Sequence, residues 1–443
     1  MNEAVRSSIG DDEARNGAVR RLRRSAATTV AALALLVGTV SAQEGLEAGF
    51  RVGIVLPGPG EEGAAISGAL ARGAAQGAAM ANDEFGFNAE MLGYVFSAET
   101  AVADGPEGVV AAAQALLDEH GVYGVVGGFD LAEAEALAEW SAEVGVPFIN
   151  VGASADVLRN EQCRPTLFNV EPSAAMYLDA MAGWYVRSGL RDWYFLLAGD
   201  DESAAQLGRI ERTLNERHFA ANVAGSTVVG PTTDWDDIAA RISRSRADFV
   251  ILFMGAEDQL AAVHELDARG VSAMVTGYPY QAAQTRDFYR AWRAAAPTLG
   301  AGHRISAWEA TLDAYGAREL NARYRMTYGE PMDTSAWAVY QGVKILYEAA
   351  FFGSSAAPDA VMAYLTGPQS VFDVWKGIGT SFRPWDHQLR QPLYLVKIDR
   401  TEEAAFTLAT LVGELPAIYM PGTEVVERLD QLGELAAASR CGR

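Results

Sequence analysis

FRVGIVLPGPGEEG, residues 50–63, is the stretch that decides the fold. Within it, residues 52–56 form an apolar run that ends at Pro57, which is typical of a buried strand. A segment rich in small residues follows over 64–82 and predicts a helix. The stretch therefore opens a strand-turn-helix unit, and the chain downstream repeats that unit.

The chain begins with a segment that precedes the fold. Four arginines at positions 20–24 lead into an apolar run over 26–40, and Ser41 and Ala42 close it. The run is shorter than the roughly 20 apolar residues that a membrane helix needs, and the pattern is typical of a secretion signal. Residues 1–42 are therefore predicted to be a cleaved signal peptide of an exported protein.

The 443-residue chain is acidic, with a formal net charge of −22 at pH 7. Such a surface repels phosphate groups, so neither nucleic acid nor an anionic membrane surface is an expected partner. The length exceeds what one hydrophobic core usually supports, so two domains are expected. The two cysteines, Cys163 and Cys441, can pair only if their Cα atoms come within about 7 Å, and the sequence leaves this open.

Apolar runs and amphipathic segments alternate along most of the chain. The first series has predicted strands over 91–96, 122–127 and 147–151 and helices over 106–120 and 131–144. After an irregular segment at 159–172, the second series has strands over 193–197, 223–229, 249–254 and 273–276 and helices over 173–187, 203–219, 235–243 and 259–269. Strands this apolar are buried on both faces, as in parallel sheets covered by helices. The pattern predicts an α/β fold of two doubly wound parallel-sheet lobes with a cleft between them.

The last third of the chain is less regular. Helices are predicted over 307–328 and 334–352 without a strand between them, and they are expected to pack back on the first lobe. Strands predicted over 371–378 and 392–398 flank a turn rich in Pro, Trp and Gly. A short amphipathic helix is predicted over 425–438.

Residues 58–63 match the G-x-G-x-x-G pattern of dinucleotide-binding loops. Glu61 and Glu62 would oppose a pyrophosphate there, so no cofactor is expected. The five histidines are scattered without the spacing of zinc ligands, and no G-x-S-x-G nucleophile elbow is present. The sequence does not decide whether a metal ion binds.

Five further motifs follow the opening stretch in order: VVGG at 125–128, PFINVGAS at 147–154, LFNVEPS at 167–173, FYRAW at 288–292 and VYQGVKILYEA at 339–349. Together they resemble type I periplasmic binding proteins, the branched-chain amino acid-binding relatives that serve ABC importers. The resemblance implies a venus-flytrap fold with three crossings and a small solute in the cleft. It also implies a monomeric periplasmic receptor without enzymatic activity, and a permease–ATPase complex as its partner.

Two more segments resemble one subgroup of that family. They are SFRPWDHQLRQPLYLV at 381–396 and LRNEQCRP at 158–165, accompanied by the late Cys441. The subgroup is the substrate-binding protein associated with alcohol oxidation systems that depend on pyrroloquinoline quinone. This resemblance supplies no substrate.

The expected division of the chain follows from the same resemblance. Residues 43–168 and 303–354 are assigned to lobe one, 169–302 and 355–404 to lobe two, and 405–443 to a C-terminal extension. The crossings between the lobes are expected near 166–172, 279–304 and 353–358.

The loops at the carboxyl ends of the predicted strands, where doubly wound sheets bind ligands, are acidic. Asp130, the run Asp200, Asp201 and Glu202, and Glu257 each follow a predicted strand and precede a helix. A carboxylate at a helix N-terminus stabilises the helix by about 0.3–2 kcal/mol, which explains these residues without any ligand. The alternative is a cleft for a cationic ligand, either an amine or a metal ion or chelate.

Ser154 fits the hydroxyl that holds the ligand carboxylate in amino-acid-binding relatives. Asp130 in the neighbouring loop would repel that carboxylate by about 4 kcal/mol at 4 Å for an effective dielectric constant near 20, which argues against a branched-chain amino acid. Phe129, Tyr278 and Trp308 are the aromatic candidates for the cleft, with core packing as the alternative.

The expected function is therefore capture of a small solute for an ABC importer, with a possible link to alcohol metabolism. A receptor of the same fold that signals to a membrane partner is one alternative. An exported α/β enzyme that uses the acidic loops as general acid and base is another.

Overall fold

The computed structural model describes residues 49–60, 64–417 and 422–441. The predicted signal peptide lies outside the described residues, and so do Glu61 and Glu62 of the opening stretch. In the described parts of the chain, no helix is long and apolar enough to cross a membrane.

The first lobe is built on a five-stranded parallel sheet with strand order β2-β1-β3-β4-β5. Its strands are β1 Phe50–Leu56, β2 Phe96–Val102, β3 Val125–Gly127, β4 Phe148–Asn150 and β5 Leu167–Asn169, and its helices are α1 Ala65–Met91, α2 Pro106–His120 and α3 Leu131–Val144. Strands β3, β4 and β5 are fully buried, as expected of a sheet with helices on both faces.

The second lobe repeats this arrangement with a four-stranded parallel sheet of order β7-β6-β8-β9. Its strands are β6 Asp192–Leu197, β7 Asn222–Val228, β8 Phe249–Phe253 and β9 Met274–Gly277, and its helices are α4 Ala174–Tyr185, α5 Asp201–Arg217, α6 Trp235–Ser245 and α7 Ala256–Ala268. The two parallel-sheet lobes expected from the sequence are confirmed.

A third, antiparallel sheet extends the second lobe. It consists of β10 Gly302–Ser306, β11 Leu393–Ile398 and β12 Ala409–Leu415. Ile305, Leu395 and Leu415 are buried in one cluster with residues of β6 and β8. The pairing differs from the expected division of the chain, because 302–306 lies with the second lobe and 409–415 is a strand of that lobe rather than a separate extension.

The remaining helices are α8 Arg286–Ala295, α9 Ala317–Tyr328, α10 Thr334–Gly353, α11 Pro358–Leu365 and α12 Val425–Leu429. Helix α10 packs along α1, as the sequence predicts. Gly77 of α1 permits this approach, because a Cβ at that position would overlap the backbone of Ala336.

Several predicted elements are wrong. No strand begins at residue 91, because α1 continues to Met91 and buries Phe85 and Ala89 four residues apart on one face. The helix predicted from 307 begins only at Ala317, after Tyr315 and Gly316, which both have positive φ angles.

The strand predicted over 371–378 is absent from the described structure, where Trp375 and Gly377 have φ angles of 62° and 102° that no strand accommodates. The helix predicted over 425–438 ends at Leu429. Helices α8 and α11 and strands β5, β10 and β12 were not predicted.

The third crossing lies in the segment 381–396, which leads into β11, and not near 353–358 as expected, because α11 still packs on α10. This crossing runs beside the first. Asn169, at the end of β5, forms a parallel bridge with Gln388, and backbone bonds of 2.9 Å join Asn169 to His387 and Leu389. The ring of Phe168 stacks on that of His387 at 4.7 Å. The segment 381–396 is thus built into the connection between the lobes.

Cys163 and Cys441 form a disulfide, with their Cα atoms 5.5 Å apart. Near it, Arg440 forms an ion pair of 2.9 Å with Glu161, and the backbone amide of Gly433 donates to Asp179 of α4. The C-terminal segment therefore spans from the second lobe to the loop that precedes β5.

We expect the double variant Cys163→Ser/Cys441→Ser to lose about 2–4 kcal/mol of unfolding free energy, because the bond closes a loop of 278 residues in the unfolded chain. Urea denaturation followed by tryptophan fluorescence measures the loss. Reduced wild-type protein is the control, and its urea midpoint should equal that of the variant. Equal midpoints for the oxidised wild type and the variant would contradict the expectation.

Candidate functional site

The loops that leave β3 and β4 lie against each other at the carboxyl edge of the first sheet. The amide of Ala153 donates to the carbonyl of Gly128 at 3.0 Å. Gly152 makes this contact possible, since a Cβ there would lie 2.6 Å from the Cα of Phe129. Close packing of these two loops places Ser154 and the residues after it opposite the second lobe.

Three hydrogen bonds join these loops to the facing side. The hydroxyl of Tyr278, after β9, donates to Oγ of Ser154 at 2.9 Å. The amide of Ala175 in α4 donates to Oδ1 of Asp156 at 3.0 Å. The side-chain amide of Gln281, in the second crossing, donates to the carbonyl of Val151. The two lobes are therefore in direct contact across the cleft.

A buried carboxyl group, Glu171 of the first crossing, lies behind these contacts. It accepts hydrogen bonds from Tyr177 at 2.8 Å and from Gln281 at 2.9 Å. Arg159 donates to the backbone carbonyl of the same residue at 2.7 Å and to Gln388 of the third crossing at 2.9 Å. Burial raises the pKa of the Glu171 carboxyl group to about 8, although the hydrogen bonds from Tyr177 and Gln281 act in the opposite direction.

A buried lysine belongs to the same region. The ammonium group of Lys376 donates to Gln391 at 2.6 Å and lies 4.3 Å from the ring centroid of Trp337. Burial lowers the pKa of Lys376 well below its usual value, and the charge of Glu171 opposes that shift. All three crossings thus contribute to one buried polar network.

In front of this network lies a cavity of about 380 Å³ between the lobes. Its lining residues come from the start of α3, the short 3₁₀ helix after β4, and the starts of α4 and α5: Leu131, Glu135, Ala155, Asp156, Val157, Ala174, Asp201, Glu202, Ala205 and Gln206. The volume is in the range of small-molecule sites.

Burial raises the pKa of two acids at this cavity, Asp156 and Glu202. Burial, together with the charges of Asp200 and Asp130, raises the pKa of Glu202 to about 7. The carboxylate accepts a hydrogen bond from Tyr280, whose hydroxyl accepts one from Gln206 at 2.9 Å. A group that titrates near neutrality thus lies between the lobes.

The predicted acidic residues take different places. Asp130 caps α3 by accepting from the amide of Glu133 at 2.8 Å, and Asp200 caps α5 by accepting from that of Ser203 at 2.8 Å. Glu257 lies exposed in the first turn of α7 and does not line the interlobe cavity. The helix-capping explanation accounts for the first two, and their role towards a ligand stays a prediction.

The predicted aromatic residues are mostly packed. Trp308 is buried, stacks on Trp337 at 5.6 Å, and donates to Asn321 at 3.1 Å. Phe129 is half-buried against the core. Tyr278 is also buried, but its hydroxyl reaches the facing lobe at Ser154. The structure therefore brings Ser154 and Tyr278 together and keeps Trp308 in the core.

The sequence did not single out several residues of the site. Glu171 carries a recognisable signal, an acid in an otherwise apolar crossing segment. Glu202 is named from the sequence only as part of the acidic run 200–202, and only the fold separates it from Asp200, which caps the helix. Asp156 and Gln206 have no sequence signal, because their roles depend on contacts between distant elements.

A larger cavity of about 630 Å³ lies elsewhere on the second lobe. Residues of α4, the end of α5, the end of β12 and the C-terminal segment line it, and the lining includes no first-lobe residue. A solute that holds two lobes together must touch both. The smaller cavity is therefore the candidate site.

The sequence matches the family model described as periplasmic binding protein over residues 50–404. The chain belongs to this family. No curated protein matches the sequence significantly.

Solved structures of periplasmic binding proteins show the same fold. A branched-chain amino acid ABC transporter periplasmic ligand-binding protein from Burkholderia xenovorans is 15% identical with a TM-score of 0.73, covering 89% of this chain and 99% of its own. The leucine-, isoleucine-, valine-, threonine- and alanine-binding protein from Brucella ovis, in a closed conformation, is 16% identical with a TM-score of 0.70, covering 83% and 95%. A solute-binding protein of R. palustris in complex with benzoate is 16% identical with a TM-score of 0.64, covering 83% and 96%.

The pH dependence of stability tests the buried state of Glu171. Its contribution is fully present below the ordinary pKa of 4.5 and is lost as the pH rises through about 8, because the folded protein holds a proton that the unfolded chain releases. We expect Glu171→Gln to remove this loss between about pH 5 and 8, as measured by denaturant unfolding across that range.

Tyr177→Phe is the matched control. It removes a hydrogen bond that lowers the pKa of Glu171 but keeps the carboxyl group, so the decline with pH should persist. Parallel curves for wild type and Glu171→Gln would show that this carboxyl group does not carry the effect.

Proposed function

We propose that this periplasmic binding protein captures a small solute between its lobes and delivers it to the permease and ATPase of an ABC importer. The observation that supports this is the interlobe cavity, whose lining comes from both lobes, in front of three crossing segments. A solute in such a cavity favours the closed form by contacting both lobes at once.

Membership of the periplasmic binding protein family supports a receptor rather than an enzyme. Among the described residues that line it there is no serine, threonine, cysteine or histidine that could act as nucleophile or imidazole base. The Ser154 hydroxyl, which lies nearby, accepts a hydrogen bond from Tyr278 rather than facing a base. We propose a non-enzymatic, monomeric protein that is free in the periplasm after its signal peptide is removed.

We further propose a link to alcohol oxidation that depends on pyrroloquinoline quinone, on the strength of the segments 158–165 and 381–396. Both segments lie at the crossings, where Arg159 bonds to Gln388 at 2.9 Å and Phe168 packs on Phe382 at 5.1 Å. They build the connection between the lobes and contribute little to the cavity. The motifs therefore support membership of the subgroup without indicating the solute.

The predicted ligand residues differ in their position relative to the cavity. Ser154 and Tyr278 make the interlobe contact that a closing movement forms. Asp130 lies near enough to raise the pKa of Glu202 by its charge. None of the seven predicted ligand residues is among those that line the cavity in this conformation.

Native mass spectrometry of the protein purified from its host tests the function. We expect a retained small molecule that denaturation releases, together with a rise in melting temperature when the stripped protein is resupplied with the released fraction. Absence of a retained molecule, combined with no thermal shift across alcohols, acids, amines and metal ions, would contradict solute binding.

The hydrogen bond between Tyr278 and Ser154 gives a second test. Tyr278→Phe removes an interaction worth about 0.5–1.5 kcal/mol, so the closed-to-open equilibrium constant should fall by up to about tenfold. Small-angle X-ray scattering measures the shift towards extended particles. Tyr185→Phe is the control, because that hydroxyl bonds to His303 within the second lobe at 2.7 Å. Identical scattering from both variants would argue against a closing role for Tyr278.

A further inference from the structure

The interlobe cavity presents hydrogen-bond acceptors and few donors. The charged residues of its lining are all acids: Glu135, Asp156, Asp201 and Glu202. Among the described lining residues there is no lysine, arginine or histidine, and the arginines whose charges act on the lining, Arg159 and Arg209, lie outside it and act on Asp156. An anionic ligand would meet like charge from two sides, whereas a cation would be attracted.

An independent observation comes from Gln206. This side chain is 2% exposed and lines the cavity. Its amide nitrogen is engaged, because it donates to the hydroxyl of Tyr280 at 2.9 Å and that hydroxyl in turn donates to Glu202. The amide oxygen of Gln206 has no hydrogen-bond partner. A buried acceptor without a donor destabilises the protein, and a ligand N–H would satisfy it.

The dipoles of the helices that begin at the cavity favour an anion over a cation, so the size of their effect must be compared with that of the acids. Helices α3, α4 and α5 all begin at the cavity, and each N-terminus carries about +0.5 charge. The three helix N-termini together carry about +1.5 charge, which is too little to offset the four acidic side chains of the lining. Several of their amides are also already bonded, to Asp130, Asp156, Ser173 and Asp200.

The other half of the lining is apolar: Leu131, Ala155, Val157, Ala174 and Ala205. These side chains suit an uncharged hydrocarbon portion of a ligand. A bare metal ion fits less well, because no three side chains of His, Cys, Asp or Glu are close enough to hold a metal in the described parts of the chain. The lining thus matches a molecule with one cationic end and an apolar body.

We propose that the cavity binds a small organic ammonium ion with an apolar body, with Glu202 as its counter-ion and the amide oxygen of Gln206 as an acceptor. This inference rests on the proposed solute-binding function. It assigns a ligand chemistry opposite to that of the benzoate held by the R. palustris structure.

Isothermal titration with three matched series tests the proposal. The probes are primary amines with butyl to octyl, benzyl and phenethyl bodies, and the alcohols and carboxylates with the same bodies. We expect at least one amine to bind at least tenfold more tightly than its alcohol, and no carboxylate to bind. Glu202→Gln should weaken that amine at least tenfold, and Gln206→Leu should weaken it severalfold.

Glu216→Gln is the matched control. Glu216 lies exposed on the same helix, about 21 Å from Glu202 at 1.5 Å per residue, and its substitution should leave the affinity unchanged. Wild-type affinity for the amine should also fall as the pH drops from 8 to 6, because Glu202 gains a proton. Asp200, Asp130 and Tyr280 are the titratable groups that face Glu202, and the Glu202→Gln variant should lose most of this dependence.

The outcomes separate this inference from the function on which it rests. Binding of the alcohols or carboxylates without the amines would overturn the ammonium assignment and leave solute binding intact. Failure of all three series would also overturn it, while the molecule retained in native mass spectrometry decides solute binding independently. Amine binding that is unaffected by Glu202→Gln would overturn the assigned site.

Discussion

The bilobed structure depends on one buried carboxyl group, Glu171, where the three crossings meet. Tyr177 and Gln281 satisfy its oxygens, and Arg159 ties its backbone to Gln388. Removing one partner from such a network leaves a buried polar group unpaired, at a cost of about 1–3 kcal/mol. The network therefore fixes how the crossings lie against one another. It also holds both lobes in positions from which their loops meet.

The two layers of the cleft use polar groups differently. In the inner layer, the carboxyl group of Glu171 and the amine of Lys376 both bond within the protein, and burial favours the neutral form of both groups. The amide oxygen of the buried Gln281 has no partner there. In the outer layer, Glu202 shares one hydrogen bond, and the amide oxygen of Gln206 has no partner. Of these two unpartnered oxygens, that of Gln206 belongs to the lining of the interlobe cavity, where a ligand can satisfy it.

The sequence predicts the fold well wherever local pattern decides the structure. The runs around Ile54, Phe195 and Ile251 are apolar enough to be buried strands in any context, and helices α2 and α3 have the predicted bounds. Prediction fails where distant contacts decide. Strand β12 exists because β11 pairs with it, and Trp375 adopts a positive φ angle that no local pattern requires. The same holds for the site. Asp130 and Asp200 are recognisable from the sequence as helix caps, whereas the role of Gln206 depends on its hydrogen bond to the distant Tyr280.

The most distinctive sequence motifs and the ligand site are physically separate. The segment at 158–165 directly precedes the first crossing, and the segment at 381–396 forms the third, where Arg383 and Arg390 also bond to Asp430 of the C-terminal segment. Selection for a particular connection between lobes and for a particular ligand can therefore act on different residues. Two structures of the same fold, each 16% identical to this chain, differ widely in ligand. One holds benzoate, and the other is named for binding leucine, isoleucine, valine, threonine and alanine. The nature of the solute must accordingly be inferred from the cavity itself. There the carboxylate of Glu202 and the unpartnered amide oxygen of Gln206 can both accept a hydrogen bond from a ligand N–H group.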